Sequence, residues 1–266
     1  MIRKYKVIGY CFGVYLFWEI LGFLVQYFLA ELFPQLQESN LGNYIFTICS
    51  DLIVFLVCLV LFRRHLYSFE KEKMSFLVVA LLPIYISVSE NMYIIFTGQP
   101  IYKVFDLDFI KIFLVIAIAT VMIAICEEFI WRRIIFSKLL YEWQTSTKGV
   151  YGAVFVASAG FGICHYMNIL TAGQSFQETT SQVLNAFCVG IFLAGLYYRT
   201  GRIIVPVGLH CISDFSNLFM NEILDYTYDL PAIDGFLSLI VPILYFVVGV
   251  YSIKTSTKYK ALIDKA

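Results

Sequence analysis

Charged side chains are scarce in this chain. Only 14% of its 266 residues are Asp, Glu, Lys or Arg, against about 25% in ordinary soluble domains. With 60% hydrophobic residues and a mean hydropathy of +0.79, that deficit excludes a soluble globular core. Neither sign of charge is in excess: 19 Lys+Arg cancel 19 Asp+Glu, so nothing suggests a nucleic-acid partner. C-x-x-C pairs are missing and the cysteine count, 7, is odd. This argues against a disulfide framework and leaves the cysteines as small core residues. No internal repeat, low-complexity tract or flexible linker appears, so residues 1–266 read as a single membrane domain. There is no small-residue cleavage site behind the basic Met1–Lys6. The apolar run from Val7 to about Phe33 also exceeds the ~7–15 residues of a signal core, so it reads as a retained first span. H-E-x-x-H and G-x-S-x-G are absent too, which removes the best-known zinc-protease and serine-hydrolase signatures.

What the chain does contain is a succession of long apolar runs. A span needs roughly 20 mostly apolar residues, and that criterion predicts about eight helices in an all-α polytopic membrane protein. They are Lys6–Leu29, Tyr44–Phe62, Met74–Phe96, Phe109–Ile135, Val150–Tyr166, Gln182–Tyr198, Ile203–Met220 and Phe236–Ile253. Basic residues gather at the N-terminus, at Arg63-Arg64, across Arg132–Lys148, at Arg199–Arg202 and in the tail. The loops Glu31–Asn43, Asn168–Ser181 and Asn221–Gly235 have neither Lys nor Arg, and Lys103 is the one mild exception. Eight spans with both termini cytoplasmic, in the cell membrane, satisfy the positive-inside rule.

Three polar clusters interrupt these runs: Glu127-Glu128-Phe-Ile-Trp-Arg132, Phe161-Gly-Ile-Cys-His165 and His210-Cys-Ile-Ser-Asp214. They hold two of the chain's 3 histidines. Ionisable groups inside a bilayer are expensive and mark functional sites by default. Glu128 and Arg132 share a helix face and can pair, whereas Glu127 points about 100° away. Desolvated and beside a like charge, Glu127 suits general-base work on a water. The plainer reading is a charge cluster at the cytoplasmic end of a span. His165 follows small residues (Ala157, Gly160, Gly162) that permit close helix approach. It is either a hydrogen-bonded core histidine or a second group on the same water. His210, Asp214 and Asn217 form one stripe, fit either for stabilising an oxyanion or for an interhelical hydrogen-bond cluster.

In this order on successive membrane helices, E-E-x-x-x-R, F-x-x-x-H and H-x-x-x-N/D resemble the motifs of a protease family. It is the CAAX prenyl endopeptidase and bacteriocin-processing family (CPBP, also called Abi) of intramembrane glutamic proteases. Phe161-Gly162 before His165 and Gly195-Leu-Tyr-Tyr-Arg-Thr-Gly201 before Pro206 and His210 fit as well. The resemblance covers about Ala119–Asn217. It implies an endopeptidase acting on a membrane-associated peptide or protein, with a role in bacteriocin processing or self-immunity. Glu127 and His165 would activate water, His210 and Asp214 would stabilise the oxyanion, and Glu128 with Arg132 would hold the site together. Many relatives have Asn where this chain has Asp214. An ionised aspartate cannot donate a hydrogen bond, so Asp214 is protonated, or orients His210, or leaves the donor role to Asn217.

The expected partners are the lipid bilayer and the peptide substrate, and no cofactor is implied. Glu127, His165, His210 and Asp214 nonetheless have the composition of a zinc site, the metal-dependent alternative. Two further alternatives are a catalytically idle scaffold that regulates a partner such as a sensor kinase, and a proton-coupled transporter. Cys126, Cys164 and Cys211 each adjoin a candidate residue and are expected to pack outside the site. Glu19, Asp51, Ser87–Asn91 with Glu90, and Asn185 read either as lining of a water-filled cavity or as interhelical ties. His65 reads as part of a solvated loop. Depth poses a difficulty: Glu127 and His210 count to some 10 Å below the cytoplasmic face and His165 to more. The three meet only if the fifth helix begins near Thr147 or is shifted.

Overall fold

The computed structural model describes residues 2–65, 67, 69–96, 107–171, 173–223 and 232–264. The expectations for Lys103, for the side chain of Glu90 and for most of the loop before residue 232 lie outside the described residues. Among the described residues all regular structure is helical. The elements are α1 (Ile2–Leu32), α2 (Asn40–Phe62), α3 (Leu77–Phe96), α4 (Leu107–Glu128), α5 (Ser137–Trp143) and α6 (Thr147–Cys164). They continue with α7 (Asn168–Thr171), α8 (Phe176–Thr200), α9 (Ile204–Ile223), α10 (Ala232–Lys254) and α11 (Thr257–Ile263). A long helix occupies each of the eight predicted stretches. Five helical rods are long and apolar enough to cross a membrane among the described residues, or six if the bent pair Leu239–Lys254 and Thr257–Ile263 is one span. The surface agrees: Phe23, Val78 and Ile204 are 68%, 76% and 68% exposed, while Glu128 and Arg132 are 0% and 2% exposed. This distribution, oily outside and polar within, belongs to a polytopic membrane protein.

Helix α8 is the central rod and packs on α6 and α10; α4 packs on α2 and α9, and α3 on α9 and α10. Small residues set the closest crossing. A Cβ added to Gly195 in α8 would stand 2.5 Å from the Gly249 carbonyl oxygen in α10, so the two backbones meet without side chains between them.

The predicted span Phe109–Ile135 is longer than expected. Between α4 and α5 the chain makes a π-helical turn, Phe129–Phe136, and helix continues without a break to Trp143. The Ser137 N–H reaches the Arg132 carbonyl five residues back, and the Ser137 hydroxyl donates to the same oxygen at 2.8 Å. Such one-residue insertions in α-helices concentrate at functional sites. Nothing in the apolar pattern marks this one.

A tight hairpin joins α5 to α6. Ser146 caps α6 by accepting from the Gly149 N–H at 3.2 Å, as serine does at helix starts. A Cβ on Gly149 would lie 1.7 Å from the Trp143 carbonyl oxygen, so only glycine fits. This hairpin removes the depth difficulty. The α4–α5 rod and α6 run down from one turn, and both Glu127 and His165 lie roughly 25 Å along the helices from it at 1.5 Å per residue.

At the other side of the bundle end, Arg133 donates to the Tyr67 carbonyl and to the Tyr197 hydroxyl. Glu72 caps α11, accepting from Ser256 Oγ and Thr257 Oγ1, both at 2.8 Å, and from the Lys258 N–H at 3.4 Å. Lys258 in turn donates to the Tyr198 and Arg199 carbonyls that end α8. Partial burial pushes the Glu72 carboxyl up, but these hydrogen bonds outweigh it and hold the group below the ordinary carboxylate range. A depressed folded-state value stabilises the docked tail above the unfolded value of about 4.3. That stabilisation is lost as pH falls through the folded value. The protection factors of amides across Thr257–Ile263, taken relative to intrinsic exchange at each pH, should therefore fall on acidification in the wild type. The change should be small, as befits a solvent-screened carboxylate, and absent in Glu72→Gln.

Candidate active site

Two helical rods, α9 and the one that runs from α4 into α5, contribute charged groups to one buried cluster. From the end of α4, Glu128 Oε2 lies 3.1 Å from Arg132 Nε, one turn further on. The other oxygen, Oε1, is 2.9 Å from His210 Nδ1 in α9. A carboxylate only accepts, so Nδ1 carries a proton and donates it to Glu128. The opposite ring nitrogen, Nε2, faces Asp214 Oδ2 at 3.3 Å and Glu127 Oε2 at 3.7 Å. Both nitrogens of His210 thus look onto carboxylates, an arrangement that a ring bearing both N–H groups satisfies. Arg132 and Glu128 are fully enclosed, whereas the side chains of Glu127 and Asp214 are 23% and 27% exposed. Two neighbouring glutamates therefore differ in kind: one is locked in a buried ion pair and the other remains open.

His165 enters from the end of α6, where the helix tightens into a 3₁₀ turn, His165–Met167. Its Nδ1 is 2.9 Å from the Phe161 carbonyl. A carbonyl also only accepts, so Nδ1–H is the donor and Nε2 keeps its lone pair. The Phe161 ring sits between the parts of the site. It lies 5.3 Å from the His165 ring and 5.9 Å from that of His210, and the Arg132 guanidinium rests 4.3 Å over it. A cation over an aromatic face is attracted by the ring quadrupole, which helps explain how a buried arginine is tolerated with one carboxylate beside it.

A cavity of about 630 Å³ opens beside this cluster, with Glu127 and His165 in its wall. Its other side is formed by α1 and α2, including Tyr15, Trp18, Glu19 and Asp51. For Glu19 and Asp51 the choice between cavity lining and interhelical tie falls to the cavity. Asn185 instead lies exposed on α8.

Of the candidate residues, Glu127, Glu128, Arg132, His210 and Asp214 come together directly, and His165 joins them across Phe161 and the cavity wall. Asn217 is exposed on α9, where burial falls away from His210 through Asp214. The expectation that all three cysteines pack outside the site is also corrected. Cys126 is buried in the core and Cys211 points to Thr120 at 3.7 Å. Cys164, however, lines the cavity, with its sulfur 3.6 Å from His165 Nδ1. The tightened turn after Cys164 brings these two neighbours onto one side, which the 100° step of a regular helix does not predict. Phe161, the shared platform, was visible in the sequence only as a motif position.

Among the described residues, no group of three or more His, Cys, Asp and Glu side chains is arranged to hold a metal ion. His210, moreover, has carboxylates at both ring nitrogens.

A search of the curated proteins found no match to the chain. Residues 109–216 match a family described as Rce1-like, type II CAAX prenyl endopeptidase Rce1-like. The matched stretch runs from the start of the fourth predicted span into α9. It contains every residue of the charged cluster and His165, and it ends one position short of Asn217. Over residues 109–216, less than half of its length, this chain is similar to that CAAX prenyl endopeptidase family.

Proposed function

We propose that the protein is an intramembrane endopeptidase in which Glu127 and the free Nε2 of His165 activate a water held in the cavity. The water oxygen attacks the peptide carbonyl carbon while its proton passes to this acid–base pair. The same proton is then returned to the amine as the C–N bond breaks. His210, anchored by Glu128 and presenting Nε2–H, meets the negative charge on the carbonyl oxygen. Asp214 accepts from that N–H and orients the ring, which accounts for an aspartate where a donor was expected. The charge on Glu128 is balanced by Arg132, so the anchor stays fixed while Glu127 changes its protonation.

The observation that carries this reading is the pairing of an open glutamate with a locked one, both on His210, beside a cavity that His165 also lines. Membrane-associated peptides are the substrate class, and bacteriocin precursors or self-immunity are the biological setting. The basic ends of the chain put both termini on the cytoplasmic side of the cell membrane. No metal takes part in these steps. The test is a membrane-peptide library presented to the purified protein in detergent. Cleavage should survive chelator treatment and disappear in His165→Ala. Chelator-sensitive cleavage, or cleavage that persists in His165→Ala, overturns the mechanism.

A further inference from the structure

Helix α1 is packed unevenly along its length. In its first half Val7, Cys11 and Val14 recur at helical spacing and are buried in the core shared with α5 and the π-helical turn. Cys11 Sγ lies 3.9 Å from the Ile135 carbonyl, and the Tyr15 ring 5.6 Å from that of Trp131. Each step of four along α1 thus matches a step of four back along the α4–α5 rod, which brings Glu19 level with Glu127. From Tyr15 to Leu32, by contrast, α1 has no buried residue. The cavity begins where this packing ends. Its described lining includes no residue of α1 before Tyr15, none of the α4–α5 rod beyond Glu127 and none of α6 before Cys164. In the other direction it follows α1 as far as Gln26, ~10 Å past the level of Glu19 at 1.5 Å per residue. The facing wall continues from His165 through Asn168 to Thr171. Phe23, Gln26, Met167 and Thr171 are all exposed. The space is therefore closed toward the 143–147 hairpin and open toward the opposite end of the bundle.

We infer that the substrate enters between the second half of α1 and the α6–α7 end, from the side of the bundle opposite the hairpin. The occupant is a peptide anchored in that half of the bilayer, with a mostly apolar stretch around the scissile bond. Leu16, Ile20, Phe23 and Leu24 give the entrance an apolar wall, and Gln26, Asn168 and Thr171 give it a neutral polar rim. That is the usual make-up of a site that buries apolar side chains and fixes a few polar groups. The inference rests on the proposed hydrolase reading, because it concerns how a peptide reaches Glu127 and His165. With the basic termini cytoplasmic, the entrance lies on the non-cytoplasmic side. A peptide presented only at the hairpin face is not a substrate.

The experiment uses membrane vesicles of both orientations carrying the full-length protein with a protease-cleavable tag after Ala266. Tyr259 packs on Tyr151 of α6, and Lys258 holds the end of α8, so the tag marks the hairpin face whichever way the protein inserts. A fluorogenic peptide with one membrane anchor is added from outside. Vesicles that shield the tag should cleave it at least about tenfold faster than vesicles that expose it, because a polar backbone does not readily cross the bilayer. The difference should vanish in detergent. There, Gln26→Trp/Thr171→Trp, which adds bulk at two exposed positions of the entrance, should raise KM about tenfold with kcat little changed. Thr145→Trp, on the hairpin, should leave both as they are. No cleavage in detergent by wild type removes the hydrolase, and the entrance with it. Cleavage in detergent combined with equal rates at the two faces, or faster cleavage at the tagged face, removes the entrance and keeps the hydrolase. The comparison of faces uses wild type, so it decides the matter even where a tryptophan variant fails to fold.

Discussion

Glu127→Gln is expected to lower kcat for peptide hydrolysis on the order of 10²–10⁴-fold, the usual contribution of a positioned general base. The substitution keeps the shape of the side chain and removes only its ability to take a proton. Glu127 makes no contact closer than 3.7 Å to His210, and its side chain is 23% exposed. Its loss therefore leaves no buried charge stranded, and thermal unfolding in detergent should resemble that of wild type. Initial rates on a cleaved membrane peptide provide the check. Full turnover by a folded Glu127→Gln protein would remove Glu127 as the base, whereas a cellular phenotype that survives the substitution would point to the idle scaffold.

Arg132→Ala should act in the opposite manner, through stability before chemistry. Removing one partner of a fully buried ion pair typically costs about 3–5 kcal/mol, because the other charge is left uncompensated. Here Glu128 is 0% exposed and would keep only the His210 ring as partner. The loss of the guanidinium from the Phe161 face adds a packing defect. Arg132→Lys should recover little, since an ammonium cannot reproduce the planar stacking. The sharper comparison is Glu128→Gln/Arg132→Met. If the pair is mainly structural, the double substitution is less destabilised than Arg132→Ala alone. It should still be inactive, because His210 loses the carboxylate that holds Nδ1. A double variant as unstable as the single one would show that Arg132 supports the fold through contacts other than Glu128.

Much of the architecture could be read from composition, because a bilayer imposes long apolar runs and leaves ionisable residues conspicuous. The pairing of Glu128 with Arg132 was legible from helical spacing alone. The second bond of Glu128, to His210, was not, since it joins residues 82 positions apart and depends on how α4 crosses α9. Local spacing put Asn217 on one stripe with His210 and Asp214, but it could not say that this end of α9 is the more exposed one. The π-helical turn and the tightened end of α6 are invisible to a method that assumes 100° per residue. Cys164 was misplaced for that reason. Glu19 and Asp51 were noticed as buried acids, yet only the packing of α1 and α2 against the site assigns them to the cavity.

The hairpin at residues 143–147 has a consequence for life in bilayers of different thickness. Since Glu127 and His165 hang from one tight corner by arms of similar length, a thinner or thicker membrane is expected to slide or tilt them as a unit. The corner acts as a caliper: lipid composition resets where the jaws sit along the bilayer normal, and the gap between them stays as the chain has cut it.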